Sequence, residues 1–165
     1  MTADKLYLVG FMGAGKTTVA RILGRRLGWR VEDIDHRIEA RERKTVAAIF
    51  AQHGEAYFRQ LERQVLCELL PERHVIVATG GGTFAEADNR ALMLADGSVA
   101  WLDVPLERVV QRVPADGRRP LASDRAQMEL LYTRRRLAYA EAHAHIDASR
   151  PLPEVVERLL EWIGF

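Results

Sequence analysis

The chain has 165 residues, of which 48% are hydrophobic, so it can bury one substantial core, and we expect residues 1–165 to form a single domain. The formal net charge of +1 gives no general attraction to nucleic acid or to a membrane surface. No run approaches the ~20 apolar residues that a membrane-spanning helix requires. Neither nucleic acid nor a membrane is therefore predicted as a partner.

The single cysteine, Cys67, excludes an intrachain disulfide and favours a reducing compartment. It falls within a predicted helix, where we expect a buried and inert thiol. The first residues lack the basic start, long apolar run and small-residue cleavage site of a secretion signal. The sequence therefore predicts a cytoplasmic protein.

Short apolar segments predict strands at residues 6–11, around 31, at 74–79, at 99–104 and near 146. The first four do not alternate polar with apolar residues, which is typical of strands covered by helices on both faces. Helical patterns occupy the intervening residues, at 16–27, 45–53, 55–70, 105–113, 124–144 and 154–162. The core stripe of the third pattern is Phe58, Leu61, Val65 and Leu69.

This alternation predicts an α/β fold, in which a central parallel sheet is flanked by helices and joined by right-handed crossovers. In such folds, ligands bind at the carboxyl ends of the strands.

Residues 10–17, GFMGAGKT, match the phosphate-loop pattern and lie between a predicted strand and a predicted helix. Glycines let the backbone approach phosphate oxygens, and the helix N-terminus attracts anions. Lys16 supplies a positive charge and Thr17 a hydroxyl for magnesium. The predicted ATP-binding residues of this segment are Gly13, Ala14, Gly15, Lys16, Thr17 and Thr18.

A phosphate loop alone does not distinguish a kinase from a GTPase switch, a transport ATPase or a motor. The chain lacks the Asn-Lys-x-Asp motif that guanine-specific switches use, and it is short for a large ATPase module. A small kinase is favoured.

Five further motifs follow in order: Asp33-Ile34-Asp35, residues 49–55 leading to Phe58-Arg59, Gly80-Gly81-Gly82, Arg118-Arg119-Pro120-Leu121, and Arg135 four residues before Tyr139. Together with the phosphate loop, they resemble shikimate kinase over nearly the whole chain. The resemblance implies ATP-dependent transfer of the γ-phosphoryl group to the 3-hydroxyl of shikimate. The product, shikimate 3-phosphate, leads to chorismate and the aromatic amino acids. The family also implies Mg²⁺ and a monomer.

Asp33 and Asp35 follow the second predicted strand, where a carboxylate can hold a magnesium shell or accept a proton. The resemblance implies that Asp33 lies near magnesium and that Asp35 binds the shikimate hydroxyls and serves as a catalytic base. The alternative is that either aspartate caps the next helix.

The glycine run, Gly80 to Gly82, follows the strand at 74–79 and permits close backbone approach to a ligand. In the family this run contacts shikimate, chiefly through the middle glycine, Gly81. Arg59 and Arg135 are candidates for a carboxylate clamp, since a guanidinium offers paired donors in one plane. Arg134 and Arg136 flank Arg135, and Leu137 stands where the family has proline, so Tyr139 sets the register.

The segment at about 112–124 resembles a lid that closes over ATP. Arg119 on this lid is a predicted catalytic residue, which would neutralise charge on the transferring phosphoryl group. Arg112 resembles a position beside adenine, and residues 147–153 resemble the adenine-side loop. The substrate-binding helices are expected at about 33–62.

Two other kinases stay open at this point, a sugar-acid kinase such as gluconate kinase and a nucleoside monophosphate kinase. From a different class, a nucleotide-binding regulatory module without catalysis is a further alternative. A metal site at His143 and His145 is not predicted, because no third ligand follows at a recognisable spacing.

Overall fold

The centre of the protein is a parallel sheet. The computed structural model describes residues 2–112 and 125–165, except for the side chain of Arg112. Its strands are β1 (Lys5–Val9), β2 (Arg30–Asp33), β3 (Val75–Ala78), β4 (Ser98–Asp103) and β5 (Ala144–Asp147). They form one five-stranded sheet in the order β2-β3-β1-β4-β5, and every neighbouring pair is parallel. The predicted fold class is confirmed.

Helices cover the sheet. In the described residues they are α1 (Lys16–Leu27), α2 (Ile34–Glu42), α3 (Val46–Leu69), α4 (Ala87–Asp96), α5 (Leu106–Arg112), α6 (Arg125–Tyr139) and α7 (Leu152–Ile163). Helix α1 packs against β3 and α7, while α4 packs against β4. All residues of β1 and β3 are buried, as expected for strands with helices on both faces. Within the described part of the chain, no helix has the length and apolarity needed to cross a membrane.

The two helices predicted on either side of Gly54 form one helix, α3, which is kinked at that glycine, where a positive φ of 85° interrupts the helical backbone. Thr45 caps its N-terminus by accepting a hydrogen bond from the amide of Ala48. The predicted core stripe is buried, from Phe58 to Leu69. The expectation for Cys67 was wrong, because its side chain is exposed. It lies two residues after buried Val65, and two residues rotate a helix by about 200°.

One helix was not predicted, and one predicted boundary differs. Helix α4 is absent from the helical patterns of the sequence, since its buried face includes Asn89 and its N-cap residue, Glu86, makes no side-chain cap. Helix α6 ends at Tyr139 instead of continuing to residue 144. The alanines after Tyr139 have high helix propensity, but the chain must turn there to enter β5.

The predicted motifs lie together at the carboxyl ends of the strands. The phosphate loop follows the carboxyl end of β1, Asp33 ends β2, and Gly80 lies just beyond β3. The chain leaves β1 toward β2 on one side of the sheet, and later crosses from β3 to β4 on the other side of β1. Such a switch point opens a crevice beside the strand ends.

Candidate active site

A cavity of about 580 Å³ opens at the carboxyl ends of β1, β2 and β3. The phosphate loop lines one side, and α2 and the start of α3 line the other. The predicted residues on its wall are Gly13, Ala14, Gly15, Lys16, Thr17, Thr18, Asp33, Asp35, Gly80 and Gly81. The fold therefore brings the predicted phosphate and substrate motifs to one cavity.

Lys16 lies at the base of the phosphate loop and is only 9% exposed. Its ammonium group donates hydrogen bonds to the carbonyl oxygens of Phe11, at 3.1 Å, and Gly10. Helix α1 begins at this lysine, so its N-terminal amides point at the same space. Both features favour an anion there.

Thr17 and Asp33 form an oxygen pair beside the loop. The Thr17 hydroxyl donates to Oδ2 of Asp33 at 2.7 Å. Oδ1 of Asp33 accepts from the amide of His36 at 3.1 Å and caps α2. Asp33 is therefore the helix cap, and Asp35, in the first turn of α2, is not.

The donor set of this pair suits Mg²⁺. A hydroxyl and a carboxylate are hard oxygen ligands, and Mg²⁺ commonly binds one or two carboxylates together with substrate phosphates. The described residues contain no cluster of three or more His, Cys, Asp or Glu that could hold a metal by itself. The pair beside a phosphate loop fits a metal that arrives with the nucleotide.

A smaller cavity of about 60 Å³ adjoins the first and contains the other substrate candidates. Its polar wall includes Asp35, Arg59, Arg135 and the three glycines. The apolar wall, which sequence analysis missed, consists of Met12, Val46, Phe50 and Phe58. This combination suits a small ring that carries a carboxylate and hydroxyls.

Each glycine of the triple run faces a different candidate side chain. A Cβ at Gly80 would lie 2.8 Å from Oδ1 of Asp35, and one at Gly81 would lie 2.8 Å from Nη1 of Arg135. At Gly82 it would collide with the guanidinium of Arg59. A side chain at any of these positions would therefore displace one of the three candidate substrate contacts.

A buried carboxylate, Glu62, holds Arg59. Nη1 of Arg59 donates to Glu62 Oε1 at 3.0 Å, and Thr83 donates to the same carboxylate at 2.8 Å. Glu62 is fully buried, and burial raises the pKa of its carboxyl group. Nε of Arg59 is buried and has no hydrogen-bond partner among the described residues. Sequence analysis missed Glu62, although its i+3 spacing from Arg59 was a usable signal.

Arg135 is 7% exposed, and none of the described carboxylates forms an ion pair with it. Burial lowers the pKa of its guanidinium, and the positive charge of Arg59 adds to this effect. The neighbouring arginines do not line this cavity: Arg134 is exposed, and Arg136 pairs with Asp103 at 2.6 Å. Of the three consecutive arginines, the fold turns Arg135 toward the cavity.

A third hollow, of about 380 Å³, lies on the opposite side of the phosphate loop. Ala148, Arg150 and Leu152 line it together with Gly13 and Thr18. These side chains belong to the predicted adenine-side segment, 147–153, for which the sequence indicated no individual contact.

The predicted lid, at about 112–124, lies outside the described residues, and so does Arg119. Arg112 ends α5, and its side chain is also outside the described part. The histidines form no metal site in the described residues: His143 accepts from the amide of Val99 at 3.0 Å, and His145 contacts Asp103 at 2.7 Å.

Comparisons with known proteins agree with this geometry. The shikimate kinase family model matches residues 12–164. A shikimate kinase from Persephonella marina is 41% identical over 157 residues, which cover 94% of this chain and 96% of that protein.

Two solved structures extend the agreement to three dimensions. A shikimate kinase from Acinetobacter baumannii, in complex with shikimate, superposes with a TM-score of 0.92 at 37% identity, covering 97% of this chain and 92% of that one. A shikimate kinase from Aquifex aeolicus gives a TM-score of 0.87 at 34% identity, with 95% and 94% covered. This chain belongs to the shikimate kinase family.

Proposed function

We propose that this protein transfers the γ-phosphoryl group of ATP to the 3-hydroxyl of shikimate, giving shikimate 3-phosphate and ADP. The observation that carries the proposal is the meeting of Asp35, Arg59 and Arg135 on the three glycines, in a cavity that adjoins the phosphate loop. The solved relative from Acinetobacter baumannii contains shikimate and is 37% identical to this chain.

The substrate carboxylate binds between Arg59 and Arg135. Both guanidiniums line the small cavity, and Glu62 neutralises only Arg59. A bound carboxylate would supply the negative charge that Arg135 lacks among the described residues. Paired guanidinium donors match a carboxylate in geometry as well as in charge. The ring of shikimate then packs against the apolar wall.

Asp35 orients the ring hydroxyls and accepts the proton that the reaction releases. The oxygen of the 3-hydroxyl forms a bond to the γ-phosphorus, while the bond from that phosphorus to the bridging β,γ-oxygen breaks. The hydroxyl proton passes to the Asp35 carboxylate, and ADP keeps the electron pair of the broken bond. Such transfer depends on position and charge neutralisation more than on covalent help.

Lys16 and Arg119 neutralise the phosphoryl group, and the amides of Gly13, Ala14, Gly15, Thr17 and Thr18 hold the phosphate chain. Thr17 and Asp33 would hold Mg²⁺, which when bound spreads the negative charge of the β- and γ-phosphates. The cavity lined by Ala148, Arg150 and Leu152 suits the adenosine end of ATP. We propose that Arg112 acts beside adenine.

The proposal extends to the setting of the reaction. We infer that the protein acts in the cytoplasm as a monomer, in the route to chorismate and the aromatic amino acids. A reducing compartment suits its exposed, unpaired Cys67.

A substrate panel tests the function. The enzyme, ATP and Mg²⁺ are incubated separately with shikimate, gluconate and nucleoside monophosphates, and ADP release is measured. We expect turnover with shikimate only, and phosphorus–proton correlation in NMR spectra should place the new phosphate on carbon 3. Preferential turnover of gluconate or a nucleotide would contradict the proposal, and ADP release without any acceptor specificity would contradict a kinase.

A further inference from the structure

The hydroxyl group of Tyr139 joins two of the candidate substrate contacts. Tyr139 is the last residue of α6 and is 1% exposed. Its hydroxyl donates a short hydrogen bond to the carbonyl oxygen of Gly81. Arg135 lies four residues earlier on the same face of the helix, and both side chains reach the same glycine: a Cβ at Gly81 would lie 2.8 Å from Nη1 of Arg135 and 3.8 Å from the Tyr139 hydroxyl.

The chemistry of a phenol determines which side of the hydroxyl faces the arginine. A tyrosine hydroxyl has one proton to donate and lone pairs that accept. Because the proton goes to Gly81, the hydroxyl offers its lone pairs to the neighbouring guanidinium, which has donors and no acceptor. The glycine carbonyl, the phenol and the guanidinium therefore form one cluster of complementary polarity.

This cluster matters because little else restrains Arg135. Among the described residues, its other recorded contact is the ring of Phe11, whose centroid lies 5.9 Å from the guanidinium carbon. A carboxylate beside Arg135 would neutralise it and compete with a substrate carboxylate. A phenol orients the guanidinium without a formal charge, and burial raises the pKa of Tyr139, which keeps the hydroxyl protonated.

We propose that Tyr139 is a positioning residue, which fixes Arg135 relative to Gly81 and thereby sets the affinity for the substrate carboxylate. The proposal rests on the proposed function, because it takes shikimate as the substrate. It assigns Tyr139 no contact with the reacting atoms, so its effect should fall on binding and not on phosphoryl transfer.

The same helix offers a matched control. Tyr132 donates to the carbonyl oxygen of Val104 at 2.8 Å and accepts from Arg136, again four residues along, at 3.0 Å. Arg136 is paired with Asp103 and does not line the substrate cavity. Tyr132→Phe therefore removes a tyrosine hydroxyl that also donates to a backbone carbonyl, on the same helix but away from that cavity.

The experiment compares Tyr139→Phe with Tyr132→Phe and the wild type. For Tyr139→Phe we expect the KM for shikimate to rise about tenfold, which is the size expected for losing one polar contact beside a charged group. The KM for ATP and kcat should stay within twofold of the wild type. Tyr132→Phe should leave all three constants within twofold, while both variants should lower the melting temperature by a similar small amount.

Two further measurements separate positioning from a structural role. In the Arg135→Lys background, adding Tyr139→Phe should raise the KM for shikimate by clearly less than tenfold, since the guanidinium that the phenol orients is gone. A shikimate analogue with an amide in place of the carboxylate should bind to the wild type and Tyr139→Phe equally well.

Several outcomes would overturn the inference. An unchanged KM for shikimate in Tyr139→Phe would do so, and so would a parallel rise in the KM for ATP. A full tenfold further rise in the KM for shikimate when Tyr139→Phe is added to Arg135→Lys would also contradict it. Failure of the proposed function is recognised separately, because the wild type would then not phosphorylate shikimate at all. If Tyr139→Phe does not fold, calorimetric titration of shikimate into Tyr139→His and Tyr139→Leu, where folded, provides the same comparison.

Discussion

A positively charged side chain is buried at each end of the central sheet, but the two side chains have different partners. At the amino end, Lys5 is fully buried and its ammonium lies 2.6 Å from Oδ2 of Asp96. It also donates to the carbonyl oxygen of Leu69 at 2.5 Å. At the carboxyl end, Arg135 is nearly as buried and has no ion pair among the described residues.

At the amino end, the buried charge of Lys5 is balanced by a carboxylate of the protein itself. Asp96 accepts from Lys5, from Tyr7 at 2.6 Å and from Arg73. A buried charge is costly without a partner, so this set of contacts compensates the burial of Lys5.

At the carboxyl end, Glu62 neutralises Arg59, but none of the described carboxylates forms an ion pair with Arg135. Arg135 keeps its charge in a buried place with a phenol and an aromatic ring as neighbours. The difference indicates that a charge balanced inside the protein serves folding, while a charge left without a carboxylate suits a ligand. The following substitutions test this distinction.

The largest effect is expected for Lys16→Ala. It should lower kcat about a thousandfold, or about 4 kcal/mol, because the charge that faces the developing negative charge of the phosphoryl group is lost. Stability should change little, since the two hydrogen bonds to loop carbonyls contribute only about 1 kcal/mol each. Steady-state kinetics and thermal melts check both parts. Lys44→Ala, which removes a lysine bonded to Gln52, serves as the control. Near-normal turnover by folded Lys16→Ala would refute the phosphate-loop assignment.

The amino end should respond in the opposite way. Asp96→Ala should lower the free energy of unfolding by about 3 kcal/mol, because it leaves Lys5 buried without its carboxylate. Asp88→Ala on the same helix should change the free energy of unfolding little, since the Asp88 side chain is 84% exposed. Urea unfolding measures both. The turnover of the folded fraction should be unchanged, and a selective loss of kcat would contradict a purely structural role.

The same carboxylate predicts an acid dependence. Burial alone would raise the pKa of Asp96, but hydrogen bonds from Lys5, Tyr7 and Arg73 outweigh it and hold the pKa below its usual value. A depressed folded pKa adds stability that is complete above the unfolded value of about 3.9 and is lost as pH falls through the folded value. Below about pH 4, Asp96→Asn should therefore show a flatter dependence of stability on pH than the wild type.

Asp35→Asn should lower kcat about a hundredfold, since the amide keeps the size of the side chain but cannot accept the hydroxyl proton. The melting temperature should change little because Asp33, and not Asp35, caps α2. Kinetics with shikimate and a melting curve are sufficient. A large fall in melting temperature with normal kcat would show that Asp35 is a structural residue.

Arg59→Lys should have the smallest of these effects, a rise of about tenfold in the KM for shikimate with the KM for ATP unchanged. Lysine keeps the charge but loses the planar fork that matches a carboxylate. Arg63→Lys, one turn along α3 and 48% exposed, is the matched control. Equal effects at the two positions would argue against a clamp at Arg59.

Some structural features could not be read from the sequence. Helix α4 was missed because a buried polar residue, Asn89, weakens its apolar periodicity. The end of α6 was misplaced because helix propensity carries no information about where a chain must turn into a strand. Cys67 was expected inside because a cysteine is often buried, whereas its angle around the helix turns it outward.

The sequence by itself determined the α/β class, the phosphate loop and the membership of the family, since these depend on local patterns and ordered motifs. Tertiary structure decided which groups meet. Among three consecutive arginines, it turned Arg135 inward and paired Arg136 with Asp103. It brought Thr83 to Glu62 and the Tyr139 hydroxyl to Gly81. Such contacts join residues on separate elements, so their distances depend on how the elements pack and not on spacing along the chain.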